Sequence, residues 1–439
     1  MRKKKVSRSW VPSLLMAVGV FVVIWLLKTI GLLSMRWYLI LQMAAITTIS
    51  ALGLNLIYGF NGQFSLGHIG FYAIGAYASA LITKDLSAKW SGTQVGGLSW
   101  IMAGQLGVLA TLILANKLKM GPRLKALRKR IGGELAPYES GTITALAGIL
   151  MLVVVLAAGV VVAVVTHWVF FALFSGLVSI LPKAVEQPII FFVALLNGGT
   201  LAALVSYLVG LPLLRLGSDY FGIATLGFAI MVYTALQSGD LVIPTMKGAR
   251  GMVGIPHWTN WGWAFGALVL SLFVIRNLVY SSYGRAFLSV REDEVAARAM
   301  GVDVAQMKTM AFTFGGFFAG VAGGLYAHWS GFLHPSSFNM IRGFDPLIMI
   351  VFGGLGSMTG TLVGSMTIVI GLELLRNVLP SGFEDWRFVI YAILLLMIML
   401  LRQQGLLGTN EWGWLKAPLP PERDIPVPTQ AAVEGEEGA

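Results

Sequence analysis

The sequence predicts an all-α polytopic membrane protein with about ten or eleven transmembrane helices, some of them broken or re-entrant at glycine-rich segments. Of its 439 residues, 56% are hydrophobic and only 12% are charged, whereas soluble domains carry about 25% charged residues. The mean hydropathy is +0.78, and long apolar stretches recur along the chain. A helix needs about 20 predominantly apolar residues to cross a bilayer, so the composition excludes a soluble globular protein.

The apolar stretches place the predicted spans near 11–33, 38–57, 64–83, 97–115, 142–166, 189–211, 219–237, 262–280, 306–330, 346–372 and 387–402. The first span follows a basic start, as in a signal peptide, but its apolar run is too long and no small-residue cleavage site follows it. Two runs are ambiguous. The run 142–181 is long enough for one span plus a re-entrant or interfacial piece, and the run 344–375 is interrupted by glycines and can contain a half-helix.

Lysines and arginines in the predicted loops are distributed unequally between the two sides of the membrane. Nineteen fall on the side of the N-terminus and seven on the other side, which predicts a cytoplasmic N-terminus because basic loops resist translocation. The same rule accounts for the net charge of +11. It places the basic loop 116–141 and the charged loop 281–304 in the cytoplasm.

The predicted membrane domain covers 1–402, and residues 403–439 are predicted to form a disordered tail. The tail contains six acidic residues and five prolines, a composition that cannot bury a core. The side of the membrane on which it lies is left open. The chain has no cysteine, which excludes disulfides and thiolate metal sites.

The stretch SVREDEVAARAMG, residues 289–301, predicts a short charged helix between two spans. Ser289 and Glu292 have the spacing of a capping box, three acidic residues occupy the first turn, and Gly301 suits the left-handed position after a helix. Asp303 and Gln306 predict a second cap, at the start of the next span. A helix this short is marginal in water, so it either connects two spans along the membrane surface or docks into a groove of another subunit.

Several motifs resemble those of a known family. The run SSYGRAFLSVREDEVAARAMG, which begins at Ser281, resembles the cytoplasmic loop of branched-chain amino-acid ABC permeases of the LivM type. GFNGQFSLGHIGFYAIGAYASALI (59–82), RLGSDYFGIATLGFAIM (215–231), VFGGLGSMTGTLVGS (351–365) and LRQQGLLG (401–408) resemble further motifs of that family in the same order. The resemblance covers most of 38–408, but 116–190 matches poorly.

The resemblance implies a permease subunit of an ATP-driven importer of branched-chain amino acids in the bacterial plasma membrane. It implies three kinds of partner besides the lipid bilayer: a LivH-like second permease, two cytoplasmic ATPases and a soluble substrate-binding protein. No nucleic acid is expected. The residues expected to contact the ATPases are Gly284, Arg285, Arg291, Glu292, Asp293, Glu294, Ala297, Arg298 and Gly301. Related permeases carry urea or short amides, and Arg250-Gly251 stands where the family usually has Asn-Gly, so the substrate is left open.

Polar and small residues inside apolar segments are candidates for a translocation path. Non-helical backbone is tolerated at membrane depth only where protein or a water-filled cavity covers it, and broken helices often flank a substrate route. The candidates are Asn61, Gly62, Gln63, Ser65, His68, Asp219, Thr225, Gly353 and Gly354. For His68, a bond to a backbone carbonyl is the alternative to a substrate contact.

Catalytic motifs are absent from the sequence. It contains no G-x-x-x-x-G-K-[ST], H-E-x-x-H or G-x-S-x-G, the patterns of phosphate loops, zinc proteases and serine hydrolases. The chain is therefore predicted not to be an enzyme and to need no cofactor or metal of its own, with ATP bound by partner subunits. An ion-coupled secondary transporter and a membrane-embedded enzyme or scaffold remain as alternatives, although the scarcity of mid-membrane charge argues against a proton-coupled pump.

Overall fold

The computed structural model describes residues 10–31, 34–84, 94–117, 137–180, 182–378, 386–402, 404–408, 411–412 and 415. Its α-helices are α1 (Trp10–Thr29), α2 (Met35–Asn55), α3 (His68–Thr83), α4 (Gln94–Lys117), α5 (Pro137–Ile180), α6 (Lys183–Leu213), α7 (Ser218–Gln237), α8 (Trp261–Val279), α9 (Ser282–Glu292), α10 (Glu294–Ala299), α11 (Val304–Ser330), α12 (Met340–Gly353), α13 (Met358–Val378) and α14 (Trp386–Leu401). A π-helix (Leu56–Phe60) extends α2, and short 3-10 helices lie at Gly239–Leu241, Pro244–Met246, Gly248–Arg250 and Pro335–Phe338.

The predicted fold class is confirmed. Within the described residues, seven helices are long and apolar enough to cross a membrane, and α3 is a shorter apolar helix. The strands of the described part are β1 (Met252–Val253) and β2 (Phe332–Leu333), which pair antiparallel. They join two connections at one end of the helical bundle.

The helices α2, α3, α6 and α11 form the centre of the bundle. In the most apolar 18-residue stretch of α2 and its π-helix, 78% of the residues are buried by the protein. In the corresponding stretch of α5, only 17% are buried. A helix that is apolar on all sides yet largely uncovered by protein is expected to face lipid. The central helices are therefore the ones that can line a path, and α5 lies at the periphery.

Glycines allow the central helices to approach closely. A Cβ atom on Gly75 of α3 would lie 2.2 Å from the carbonyl oxygen of Gly320 on α11, and one on Gly198 of α6 would lie 2.8 Å from the carbonyl oxygen of Gly75. Small residues are common where helices meet in lipid because association there depends on close packing. The three helices meet at backbone contact distance as a result.

The bundle has two distinguishable ends. At the α9/α10 end, α11 begins directly after the two short charged helices. At the β end, α11 finishes next to β1 and β2, and Thr83 at the end of α3 is hydrogen-bonded to His328 over 2.8 Å. The helices α2 and α3 run between the same two ends in opposite directions.

The two ambiguous runs of the sequence are resolved differently. The run 142–181 belongs to a single 44-residue helix, α5, so the expectation of a separate re-entrant or interfacial piece is wrong. Its apolar sequence contains no proline after Pro137 that would interrupt the helix. The run 344–375 does break, into α12 and α13, because Gly354 and Gly356 adopt positive φ angles of 125° and 77°. The predicted span 64–83 becomes helical only at His68.

Part of the predicted tail is packed against the bundle instead of being disordered. The amides of Leu406 and Leu407 donate to the carbonyl oxygens of Phe352 and Gly353 over 2.8 and 3.1 Å, and Leu415 is only 1% exposed. These contacts bring residues 404–408 to the loop between α12 and α13, which composition alone did not indicate. Together with 411–412 and 415, they form the described C-terminal segment. Residues 416–439 and most of the basic loop 116–141 lie outside the described residues.

Candidate functional site

The charged segment forms two helices, not one. The backbone breaks at Asp293 between α9 and α10, and its Oδ1 atom accepts hydrogen bonds from the amides of Val295 (2.7 Å) and Ala296 (3.0 Å). The predicted helix start at Ser289 is wrong: Ser289 lies inside α9, and its hydroxyl donates to the carbonyl of Ala286. An aspartate is as good a cap as a serine, and the cap at Asp293 is the one that forms.

The predicted ends of this segment agree better with the structure. Gly301 has a φ of 82°, the left-handed conformation expected after a helix. Asp303 accepts a hydrogen bond of 3.0 Å from the amide of Gln306 and caps α11. At the other end, a Cβ on Gly284 would lie 1.9 Å from the carbonyl oxygen of Val279, so the turn from α8 into α9 requires glycine.

The two short helices have one face on the bundle and one face free in this chain. Phe287, Val290 and Ala297 are buried against the bundle, and Glu294 forms an ion pair with Lys308 at the start of α11. On the outer face, Val295 is 77% exposed and Met300 is 84% exposed. Arg285, Glu292 and Arg298 are exposed on the same pair of helices. Apolar side chains with this exposure, next to charges, are typical of a surface that contacts another protein.

The central helix α2 is distorted where it reaches the α9/α10 end. Its last residues form the π-helix Leu56–Phe60, beginning directly after Asn55, and π-helical turns are rare and frequently lie at functional sites. The side chain of Asn55 is fully buried. Its Oδ1 accepts from the amide of Gly356, and its Nδ2 donates to the carbonyl of Ser357, both over 3.0 Å. The broken end of α2 is thereby joined to the loop between α12 and α13.

Arg291 joins the charged helices to this broken end. Its Nη1 atom donates a hydrogen bond of 2.7 Å to the carbonyl oxygen of Gly59. Gly62 has a φ of 75° and a Cβ on it would lie 3.3 Å from the Cα of Arg291, so the two backbones are nearly in contact. Residues assigned from the sequence to two different roles, ATPase contact and translocation path, therefore lie side by side.

Three of the candidate path residues follow the π-helix with buried polar groups. Asn61 is 1% exposed, Gln63 is 6% exposed and Ser65 is 1% exposed, and none of their side-chain polar atoms has a hydrogen-bond partner within the described part of the protein. A small cavity of about 20 Å³ lies between Gln63, Glu294 and Lys308, which is room for about one water molecule. Buried polar groups without partners destabilise a structure, so this segment is suited to a state in which water or a solute reaches it.

The remaining candidates have structural contacts. The Nε2 atom of His68 donates to the carbonyl of Ser50 over 2.8 Å, which is the carbonyl alternative considered for this histidine. Thr225 accepts from the amide of Leu66 over 3.1 Å and so holds the non-helical segment against α7. The side chain of Asp219 lies outside the described residues.

Gly353, the last residue of α12, and Gly354, the first residue of the loop that follows, do not lie beside the other candidates. A Cβ on Gly353 would lie 1.9 Å from the carbonyl oxygen of Gly360, and one on Gly354 would lie 2.4 Å from that of Gly408. Their small size therefore serves close packing of this loop against α13 and the C-terminal segment. The structure does not bring them to the path segment 61–67.

Sequence reasoning missed the residues that hold this loop. The carboxylate of Glu411 accepts from the amides of Met358 (2.5 Å) and Thr359 (3.1 Å), the first residues of α13. Arg276 of α8 donates from Nε to the carbonyl of Leu415 over 3.1 Å. The role of Asn55 could have been suspected from the sequence, because an asparagine is unusual within the apolar run of α2. No local pattern indicates a role for Glu411.

The comparison with known families decides the identity of the chain. A model of the branched-chain amino acid transport system permease component matches residues 37–124 and 138–399. The chain belongs to this permease family. The match includes 138–190, which the motifs of the sequence did not relate to the family.

Curated relatives of the permease come from bacteria and archaea. The high-affinity branched-chain amino acid transport system permease protein LivM of Escherichia coli is 32% identical over 251 residues, covering 49% of this chain and 57% of the relative. The LivH protein of the same organism is 25% identical over 202 residues, covering 43% and 64%. A probable LivM permease of Methanocaldococcus jannaschii is 25% identical over 249 residues, covering 51% and 70%. The chain therefore spans little more than half the length of the bacterial LivM relative, and no solved structure matches it.

Proposed function

We propose that this permease is one of two related membrane subunits of an ATP-driven importer that moves branched-chain amino acids across the bacterial plasma membrane. The support is family membership and the LivM and LivH relatives, whose names refer to this transport. The proposed partners are a LivH-like subunit, two cytoplasmic ATPases that bind ATP in place of this chain, and a soluble substrate-binding protein. The chain itself would need no cofactor.

The observation that carries this proposal is the contact between Arg291 and Gly59. On one side of this contact lie helices α9 and α10, whose free face carries the exposed Val295 and Met300. On the other side lies the π-helical end of α2, followed by the buried and unpartnered Asn61. An ATPase that moves α9 and α10 would therefore move the broken span directly.

The mechanism follows from this connection. ATP-driven closure of two ATPases would press on α9 and α10 and shift the π-helix and the segment 61–67 through Arg291. The shift can drive transport only if the ATPases interact differently with the outward-facing and inward-facing states. The unpartnered polar groups at Gln63 and Ser65 would gain partners when solute or water enters.

The orientation belongs to the same proposal. We place the α9/α10 end and the N-terminus in the cytoplasm because the loop lysines and arginines concentrate on that side in the sequence. Glu411 contacts Thr359 at the start of α13, directly after the loop that is bonded to Asn55. This contact brings the C-terminal segment to the same end. The β end would face the substrate-binding protein.

The test replaces Val295 and Met300 with serine in the complete importer. Truncating a residue at the centre of an interface can cost more than 1 kcal/mol, so the double variant should retain the ATPases about tenfold less well or worse and lose ATP-driven leucine uptake. The matched control replaces Leu241 and Val242, which are equally exposed but lie at the β end, and should retain the ATPases as well as the wild type does. Full ATPase retention by the α10 variant would refute the docking role, and uptake in vesicles without any ATPase would favour an ion-coupled transporter.

A further inference from the structure

A cavity of about 280 Å³ opens between α2, α3, α11 and α12 toward the β end. Ligand sites for small molecules are usually concave, mostly apolar and start at roughly 300 Å³. The wall contains Ile69 and Met349 as apolar residues and Tyr72 and Trp329 as aromatic ones. Its size and lining suit a small solute with an apolar part.

Two opposite charges lie together on one wall of this cavity. Arg342 and Asp345 are one turn apart on α12 and both line the cavity, with 3.7 Å between Nη1 and Oδ2. An ion pair of this length between partly exposed side chains contributes little to stability, so a ligand can replace it at small cost.

We propose that this cavity binds a zwitterionic amino acid with an apolar side chain. Arg342 would bind the carboxylate, Asp345 the ammonium group, and Ile69 and Met349 would contact the side chain. Arginine is well suited to carboxylates because its planar fork can donate two parallel hydrogen bonds. A neutral solute such as urea or a short amide has no charged groups for either residue, so the pair favours amino acids over those alternatives.

This inference rests on the proposed function, since it assigns a binding site to the solute that the importer moves. The site is connected to the α9/α10 end through α2. Ser50 lines the cavity and its carbonyl holds His68, which begins α3 directly after the path segment. Nine residues further along α2, about 13 Å at the rise of a helix, Gly59 accepts the hydrogen bond from Arg291. A solute in the cavity and an ATPase at α10 therefore act on the same helix.

The test measures equilibrium binding of labelled leucine to the purified permease–ATPase complex in nanodiscs, without the substrate-binding protein. Arg342→Gln and Asp345→Asn should each weaken binding about tenfold or more, because each removes a hydrogen bond to a charged group. The matched control is Arg36→Gln, which removes the exposed ion pair between Arg36 and Glu373 outside the lining of the cavity. The affinity of the Arg36→Gln complex for leucine should equal that of the wild type.

Leucine analogues that lack one of its two charged groups distinguish a direct contact of Arg342 or Asp345 with the ligand from a purely structural role of these residues. In Arg342→Gln, leucine should lose most of its advantage over 3-methylbutylamine, which has no carboxylate. In Asp345→Asn, it should lose most of its advantage over 4-methylpentanoate, which has no ammonium group. Arg342→Lys keeps the cation and should keep the preference for leucine, which guards against a variant that fails to fold.

Three results would overturn the assignment: unchanged leucine affinity in both variants, equal weakening of all three ligands, or no leucine binding by a wild-type complex that still imports leucine with ATP. Failure of the proposed function itself is a different result, because the complete wild-type importer would then not take up leucine when ATP is supplied.

Discussion

Arg291 on α9 donates a hydrogen bond of 2.7 Å to the carbonyl oxygen of Gly59, which precedes it by 232 residues. Carbonyl groups at the end of a helix lack partners within the helix. The carbonyl oxygen of Gly59, near the end of the π-helix, can therefore accept a hydrogen bond from Arg291. The guanidinium is always charged and donates from several atoms, which makes the contact stronger than one between neutral groups. The bond links a surface element to a buried, distorted span.

Arg291→Ala should uncouple ATP hydrolysis from uptake. The variant removes a charge-assisted hydrogen bond worth about 1.5–3 kcal/mol but leaves the exposed Val295 and Met300 intact. ATPase subunits should still co-purify, whereas leucine uptake per ATP hydrolysed should fall about tenfold or more. Arg291→Lys should recover part of the loss, because an ammonium group can still donate to Gly59.

The control for this prediction is Arg376→Ala, which removes a half-exposed arginine near the end of α13 and should leave the ratio of uptake to hydrolysis unchanged. A normal ratio in Arg291→Ala would show that force does not pass through this contact.

Gly59→Ala should destabilise the permease at the π-helix. A Cβ there would lie 1.8 Å from Oδ1 of Asn55 and 2.5 Å from the amide nitrogen of Gly356, so the contact between α2 and the loop after α12 would have to open. Overpacking of this kind costs about 1–3 kcal/mol, and the melting temperature of the purified protein in detergent should fall.

Gly227→Ala is the matched control, because nothing lies within 4 Å of a Cβ at that position. It also replaces glycine in a helix, where alanine is favoured by roughly 1 kcal/mol, so its melting temperature should stay the same or rise. Equal melting temperatures for the two variants would mean that the backbone around Gly59 yields without cost.

The fold was largely predictable from the sequence, because each long apolar run must cross a membrane whatever its neighbours are. The helix end at Gly301 and the cap at Asp303 were predictable for a similar reason, since capping depends on a few adjacent residues. Ser289 was misread because a capping box is a local pattern, and the competing cap at Asp293 satisfies the same requirement. The contacts of Asn55 and Glu411 could not be predicted from the sequence, because their partners are far away in the chain.

The sequence predicted which segments form the candidate site, but not which of their residues contact each other. The sequence indicated both the charged loop and the glycine-rich stretch 59–67, because charge and glycine are unusual inside or between apolar spans. It could not indicate that Arg291 and Gly62 are neighbours, nor that Arg342 and Asp345 share a cavity with Tyr72. Those relations depend on how α2, α9 and α12 pack.

Glu411→Ala should loosen the start of α13. The carboxylate accepts from the amides of Met358 and Thr359 and from the Thr359 hydroxyl, and loss of a cap at a helix N-terminus costs about 0.5–2 kcal/mol. Hydrogen exchange at the amides of residues 358–361 should become faster, and the melting temperature should fall. Glu411→Gln retains one oxygen acceptor and should show a smaller change.

Thr359→Val provides the second side of a double-mutant cycle, because it removes the hydroxyl that donates to Glu411 and accepts from the amide of Trp412 over 3.1 Å. If the two residues act through one contact, the double variant should be less destabilised than the sum of the single variants. Strict additivity would mean that they stabilise α13 independently. A coupled result would establish the C-terminal segment as part of the membrane domain, since the cap on α13 then depends on it.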